Sequence, residues 1–185
     1  MQKSNKLSVR EMMEEDIPDI IRYWGKSSDE HLISMGVDLK KMISPGEINA
    51  MLTTQLQQNF QEKKSYCLIW MFGNEAVGHC NINSILFGNS AHMHLHLWND
   101  EKRKKGWGVQ FVKLSLPYFF SNMNLQKLFC EPYALNPAPN KTLEKVGFSF
   151  VKTYTTTPGA INFEQEVCQW VMDREAVFGS IGNKV

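Results

Sequence analysis

The spacing of apolar residues changes repeatedly along the chain, and each change marks a new element. "LSVREM" (7–12) reads as a short strand. "EEDIPDIIRYW" then takes up a helical period, with Ile17, Ile20, Ile21 and Trp24 at i, i+3, i+4 and i+7. Asp16 is placed to cap that helix and Pro18 falls in its first turn. "SSDEHLISMGVDLKKM" (27–42) has no clear period and reads as a loop. "SPGEINAMLTTQLQQ" (44–58) reads as a second helix, with Ser44 as cap, Pro45 at the first position and Glu47 completing a capping box. The period then shortens. "SYCLIWMF", "VGHCNINSILF" and "AHMHLHLW" are three consecutive strands joined by short Gly/Asn turns, the signature of antiparallel hairpins. Residues 107–121 read as a helix that Pro117 should kink. "LQKLFCEPYAL" (125–135) reads as a strand. "NPAPNKTLEKVGF" (136–148) reads as a short helix, with Pro137 and Pro139 in its first turn and Gly147 as its stop. "SFVKTYTT" and "FEQEVCQWVM" close the chain with a hairpin.

This order, β α α β β β α β α β β, predicts an α+β fold. Antiparallel strands lead into one strand–helix–strand unit, so the sheet is mixed. With no repeat, low-complexity tract or linker, residues 1–185 are expected to form a single domain. Twenty Lys and Arg against 19 Asp and Glu leave a formal net charge of +1. That balance argues against nucleic-acid binding as the main task. Cys67, Cys80, Cys130 and Cys168 are widely spaced with no CxxC pair, as expected of reduced core thiols in a cytoplasmic protein. The polar N-terminus has no signal-peptide core, and "YCLIWMF" is too short to span a bilayer, so no membrane partner is expected.

The candidate chemistry lies in three stretches. In "NDEKRKKGWGVQ" (99–110), four cations and two glycines separate a strand from a helix. The first N–H groups of a helix have no internal partner, and the macrodipole favours anions there. Gly106 and Gly108 let the backbone approach a phosphate closely, although a solvated basic turn would carry the same charges. In "AHMHLHLW", His92, His94 and His96 share one side of one strand. They could hold a metal, relay a proton or line a polar sheet face. Buried, hydrogen-bonded imidazoles are the favoured reading, and no metal is expected. In "FCEPYALN" (129–136), Glu131 sits within an apolar strand, where a buried charge is costly unless paired, for instance with Lys or Arg at a sheet edge. Pro132 cannot donate to a strand ladder and is hard to place in a central paired strand.

At this point the chain resembles a known family. "RKKGWG" (103–108) is similar to the R/Q-x-x-G-x-G/A motif of the GNAT acyltransferases, and "NPAPNKTLEKVGF" is similar to their N-x-x-S-…-LEKLGF segment. The element order agrees over about residues 7–172, and the nearest look is to the branch that acetylates protein N-terminal amines. The resemblance implies a mostly antiparallel sheet with helices on both faces and two central parallel strands splayed apart. It implies acetyl-CoA as cosubstrate. Arg103, Lys104, Lys105, Gly106, Trp107, Gly108 and Val109 would hold its pyrophosphate. Leu97 and Trp98 would lie along its pantetheine arm, where one N–H would polarise the thioester carbonyl. Asn136 would hydrogen-bond the cofactor, and Asn140 could stand in for the family's Ser, whose position holds Pro139. Glu131 would take the proton from the attacking amine; of the strand histidines read above, a cleft-facing His94 or His96 is the candidate relay. Leu143 occupies the place of a Tyr that often reprotonates the thiolate, which leaves that task to Tyr133 or to water.

The expected reaction is direct transfer of acetyl from acetyl-CoA to a primary amine, on a small molecule or a protein N-terminus, by a monomer or homodimer. Cys130 faces away from Glu131 by strand alternation, so a covalent acetyl-cysteine intermediate is rejected. The alternatives are an inactive acyl-CoA-binding module of the same fold and a metal-binding β protein built on the histidines. The acceptor should be shaped by residues 25–45 and by the last hairpin. Asp29, Glu30, Glu164 and Glu166 could attract a cationic amine there or could simply be solvated.

Overall fold

The computed structural model describes residues 6–98 and 106–179. Seven strands form one sheet: β1 (Leu7–Glu11), β2 (Ser65–Phe72), β3 (Glu75–Leu86), β4 (Ser90–Leu97), β5 (Lys127–Cys130), β6 (Ser149–Thr156) and β7 (Gln165–Asp173). Their order is β1-β2-β3-β4-β5-β7-β6. Every pairing is antiparallel except β4 with β5. β2, in the middle of the first half, is buried on both faces from Tyr66 to Trp70, which accounts for its unbroken apolar run. β6 is an edge strand and mostly exposed.

The described residues also form six α-helices: α1 (Ile17–Lys26), α2 (Asp29–Ser34), α3 (Pro45–Gln57), α4 (Trp107–Asn122), α5 (Pro137–Val146) and α6 (Arg174–Phe178). α1 and α3 bury Ile17, Ile20, Ile48 and Leu52 against Cys67 and Ile69 on one face. α4 buries Phe111, Val112, Leu116, Phe119 and Phe120 on the other, against Leu68, Trp70, Ile82, Met93 and Leu128. Pro117 lies inside α4, which continues to Asn122. It and Lys113, whose carbonyl it leaves unpaired, are both exposed, so water can satisfy that group. Among the described residues no helix is long and apolar enough to cross a membrane.

The three hairpin strands, the capping box of Ser44 and Glu47, and the left-handed Gly147 that ends α5 follow the sequence expectations. Three expectations are corrected. Residues 27–42 are not all loop, because Ser28 accepts a hydrogen bond from His31 N and starts α2. Asp16 does not cap α1 with its side chain. Its carboxylate is gripped by both Arg10 guanidinium nitrogens at 2.6 and 2.7 Å and by Met13 N at 2.8 Å. β5 ends at Cys130 instead of running to Leu135, because the chain there loses β4 as a neighbour and keeps only sparse contacts with β7.

Candidate active site

β4 and β5 pair only through Ser90, Ala91 and His92 opposite Lys127, Leu128 and Phe129. Just beyond, the Cys130 thiol donates to the Met93 carbonyl at 3.1 Å, and the ladder stops. The Pro132 carbonyl accepts from Cys168 N of β7 at 3.1 Å, and its missing N–H lies on that same side. Tyr133 bridges Val167, and Ala134 N donates to Glu166 O at 2.9 Å. The chain after β5 therefore follows β7 and leaves the end of β4 facing an open cavity of about 470 Å³. This is the splay expected of the two central parallel strands.

That cavity brings together His96, Leu97, Gly106, Gly108, Val109, Glu131, Tyr133 and Asn136. Gly106 caps α4 with φ +71°, a left-handed conformation that disfavours side chains. Trp98 N donates to Val77 O on the β3 side at 2.9 Å, so by alternation the Leu97 N–H points toward the gap. Trp98, Trp107 and Asn140 do not line the cavity. Trp107 packs on Phe72 with ring centroids 4.7 Å apart. Asn140 spends both ends of its amide inside the protein, donating to Asn136 O and Tyr133 O and accepting from Trp170 Nε1. Arg103, Lys104 and Lys105 lie outside the described residues. Leu143 is fully buried in the α4-side core. Lys141, Thr142 and Lys145 line the cavity from α5 instead, and sequence reasoning had not singled them out. Their one-turn spacing on a helix beside the loop was the available signal.

The Glu131 side chain is 8% exposed. No Lys or Arg pairs with it among the described residues. Oε1 accepts from the Tyr154 hydroxyl at 2.8 Å and from Gln169 Nε2 at 2.5 Å. Oε2 lies 3.7 Å from His92 Nδ1. Burial, and then the carboxylate beside it, push the Tyr154 phenol up to about 12, so it stays a donor. Tyr154 and Gln169 hold the carboxylate from β6 and β7, and neither was foreseen. The Cys130 thiol, on the opposite face, is pushed up to about 12 by burial and then by Glu131, which makes it a poor nucleophile.

His92, His94 and His96 share a face with Asn83, Asn81 and His79, their partners on β3. Trp98 Nε1–H donates to His79 Nδ1 at 2.7 Å, which places the His79 proton on Nε2. Burial, then neighbouring His94, lower His79 to about 3. Burial, then His92, lower His94 to about 4, against a smaller opposing pull from Glu131. The His94 Nε2 is enclosed and has no hydrogen-bond partner among the described residues, although the residue borders two cavities. His96 stacks on His79 with centroids 4.6 Å apart. The Tyr23 hydroxyl lies 3.3 Å from His96 Nδ1 and 3.2 Å from His31 Nε2, so three titratable groups line up from the cavity to half-buried His31.

Behind these rings, between the sheet and α1 and α3, is a second cavity of about 440 Å³. Its roof joins the two segments expected to shape an acceptor site. Asp38 N donates to Ile161 O, Phe163 N donates to Gly36 O, and Val37 bridges Asn162. Gln165, which is buried, adds a bond from Nε2 to Gly36 O. His94, His96, Met35 and Asn162 border both cavities, so the two spaces meet across β4.

The sequence profile of the acetyltransferase (GNAT) domain matches residues 6–149. No curated protein matches the chain. Solved structures share the fold. A spermidine N-acetyltransferase from Vibrio cholerae, in complex with coenzyme A and spermine, superposes with a TM-score of 0.75 at 16% identity over 93% of this chain and 98% of its own. RimL, an α-N-acetyltransferase of a ribosomal protein, in complex with coenzyme A, gives 0.74 at 15% identity over 94% and 97%. The aminoglycoside acetyltransferase AAC(6')-Ib, in complex with coenzyme A, gives 0.72 at 16% identity over 95% and 98%.

Proposed function

The chain belongs to the GNAT acetyltransferase family and moves an acetyl group from acetyl-CoA to an amine, and from that premise we propose the parts its residues play. The thioester arm lies in the fork between β4 and β5. The first N–H groups of α4, with Gly106 at its cap, face the pyrophosphate, and Arg103, Lys104 and Lys105 add positive charge. Lys141, Thr142 and Lys145 of α5 extend that phosphate-facing wall. The Leu97 N–H polarises the thioester carbonyl as negative charge develops on its oxygen.

An ammonium cannot attack a thioester, so the acceptor must lose a proton first. Glu131 takes it. Its Oε1 is committed to Tyr154 and Gln169, which fixes the carboxylate and leaves Oε2 turned toward His92. His94 stays neutral at ordinary pH and so adds no repulsion to an incoming cation. His96, through Tyr23 and His31, provides a path for the proton to solvent. With Leu143 buried, Tyr133 at the cavity wall protonates the leaving thiolate, or the thiolate leaves as such, since free thiols titrate near about 8.5.

The observation that carries this reading is a carboxylate held by two neutral donors at the point where the sheet forks. Glu131→Gln tests it. The expected result is a loss in kcat of roughly a hundredfold or more, with coenzyme A binding intact by calorimetry. Unchanged turnover would remove Glu131 from the role of base.

A further inference from the structure

The cavity behind the histidines carries a statement about the acceptor, and it rests on the acetyl-transfer reading above. The four carboxylates that could have drawn in a polycation, Asp29, Glu30, Glu164 and Glu166, are all exposed, and none borders either cavity. Among the described residues no Asp or Glu lines the second cavity at all. Its polar members, such as Asn81 and Asn83, are uncharged, and His79 and His94 are held neutral by burial. Most of the remaining wall is aliphatic or aromatic. Ile20, Trp24, Val37, Ile48 and Leu52 form its depth, and at its mouth Met51 is half exposed.

A second ammonium in this space would lose its hydration with no anion to replace it, at a cost of several kcal/mol. An apolar group entering the same space would instead gain from burial, at about 25 cal/mol per Å². Among the described residues the one carboxylate that lines the adjoining cavity is Glu131, across β4, and it can serve a single nitrogen. We propose that the acceptor is a monoamine whose remaining body is apolar and uncharged. Its amine reaches past His94 and His96 into the fork, and its body fills the space between the sheet, α1 and α3. The same chemistry is offered by a free arylalkylamine and by a peptide N-terminus with a large apolar first side chain.

The test follows thiol release from acetyl-CoA with phenethylamine, a Met-initiated peptide amide, an Asp-initiated peptide amide, spermidine and kanamycin. The expected result is a kcat/KM for phenethylamine or the Met peptide more than about a hundredfold above that for spermidine and kanamycin. Which of the two apolar acceptors is the better separates a free amine from a peptide N-terminus. Met51→Glu, at the exposed rim where folding should tolerate it, is expected to lower kcat/KM for phenethylamine about tenfold while leaving thermal stabilisation by coenzyme A unchanged. Turnover of spermidine or kanamycin equal to that of the apolar amines overturns the assignment. So does stabilisation by coenzyme A without turnover of either apolar acceptor. Absence of both stabilisation and turnover would instead sink the transfer reading on which the assignment stands.

Discussion

On the α4 side of the sheet, Trp70 stacks on Phe111 with ring centroids 4.9 Å apart and planes within 5°, and its indole N–H donates to Ser115 Oγ at 3.0 Å. The Ser115 hydroxyl in turn donates to Phe111 O, so the polar atoms in that contact have partners. On the α1–α3 side, β3 and β4 present His79, Asn81, His94 and His96 to a cavity, and one imidazole nitrogen is enclosed with no partner among the described residues. The first face is packed as a protein interior is packed. The second forgoes that packing and keeps neutral hydrogen-bonding groups turned toward the fork. Stability and chemistry are thus divided between the two surfaces of one sheet, and substitutions on each should fail in different ways.

The largest effect should come from the packed face. Phe111→Ala removes a fully buried ring and leaves a cavity beneath Trp70, at an expected cost of about 3–5 kcal/mol. For a domain of this size that lowers Tm by roughly 10 °C, measurable by calorimetry. An unshifted Tm would show that the α4 face does not carry the stability assigned to it.

The next effect belongs to the polar face and depends on pH. His79 and His94 remain neutral in the folded protein down to about pH 3 and 4, whereas in the unfolded chain imidazoles charge near about 6.5. Below that value the unfolded state binds more protons than the folded one. Stability should therefore be intact above about pH 6.5 and fall as pH drops toward the folded values, by up to about 1.4 kcal/mol per pH unit for each ring. Thermal melts between pH 7.5 and 5 should show this slope, and the His79→Gln/His94→Asn double variant should flatten it. An equal slope in the double variant would mean the rings titrate normally.

The smallest effect lies on the solvent side of α1. The Arg22–Asp19 pair is largely exposed, and Arg22→Ala should change stability by less than about 0.5 kcal/mol in urea melts. A larger loss would place a stabilising contact outside both faces.

Much of this arrangement was legible in the chain because it is local. Alternation marked the hairpin strands, and Ser44 with Glu47 marked the start of α3. Glu131 stood out as a carboxylate within an apolar run, and Pro132 beside it marked where pairing fails. What escaped was short or distant. α2 has six residues, too few to display a period. The apolar run through Leu135 hid the end of β5, because the chain there loses β4 while its contacts with β7 continue in the same register as far as Ala134. Tyr154 and Gln169 lie 23 and 38 residues from the carboxylate they hold, so only tertiary structure reveals them. The neutral lining of the second cavity likewise emerges only when helices, hairpin loop and strands close on one another. The exposed acidic residues nearby in sequence pointed the other way.

Pro132 has one further consequence. Its carbonyl is tied to Cys168 N in the register that pairs Cys130 with Trp170, so the chain past β5 is stitched to β7 and not to β4. The opening is thus a seam set by the sheet's own pairing rather than by a cosubstrate that pushes the strands apart. Amide exchange in β4 and β7 should then be nearly the same in the empty and loaded enzyme, because loading requires no strand to unzip.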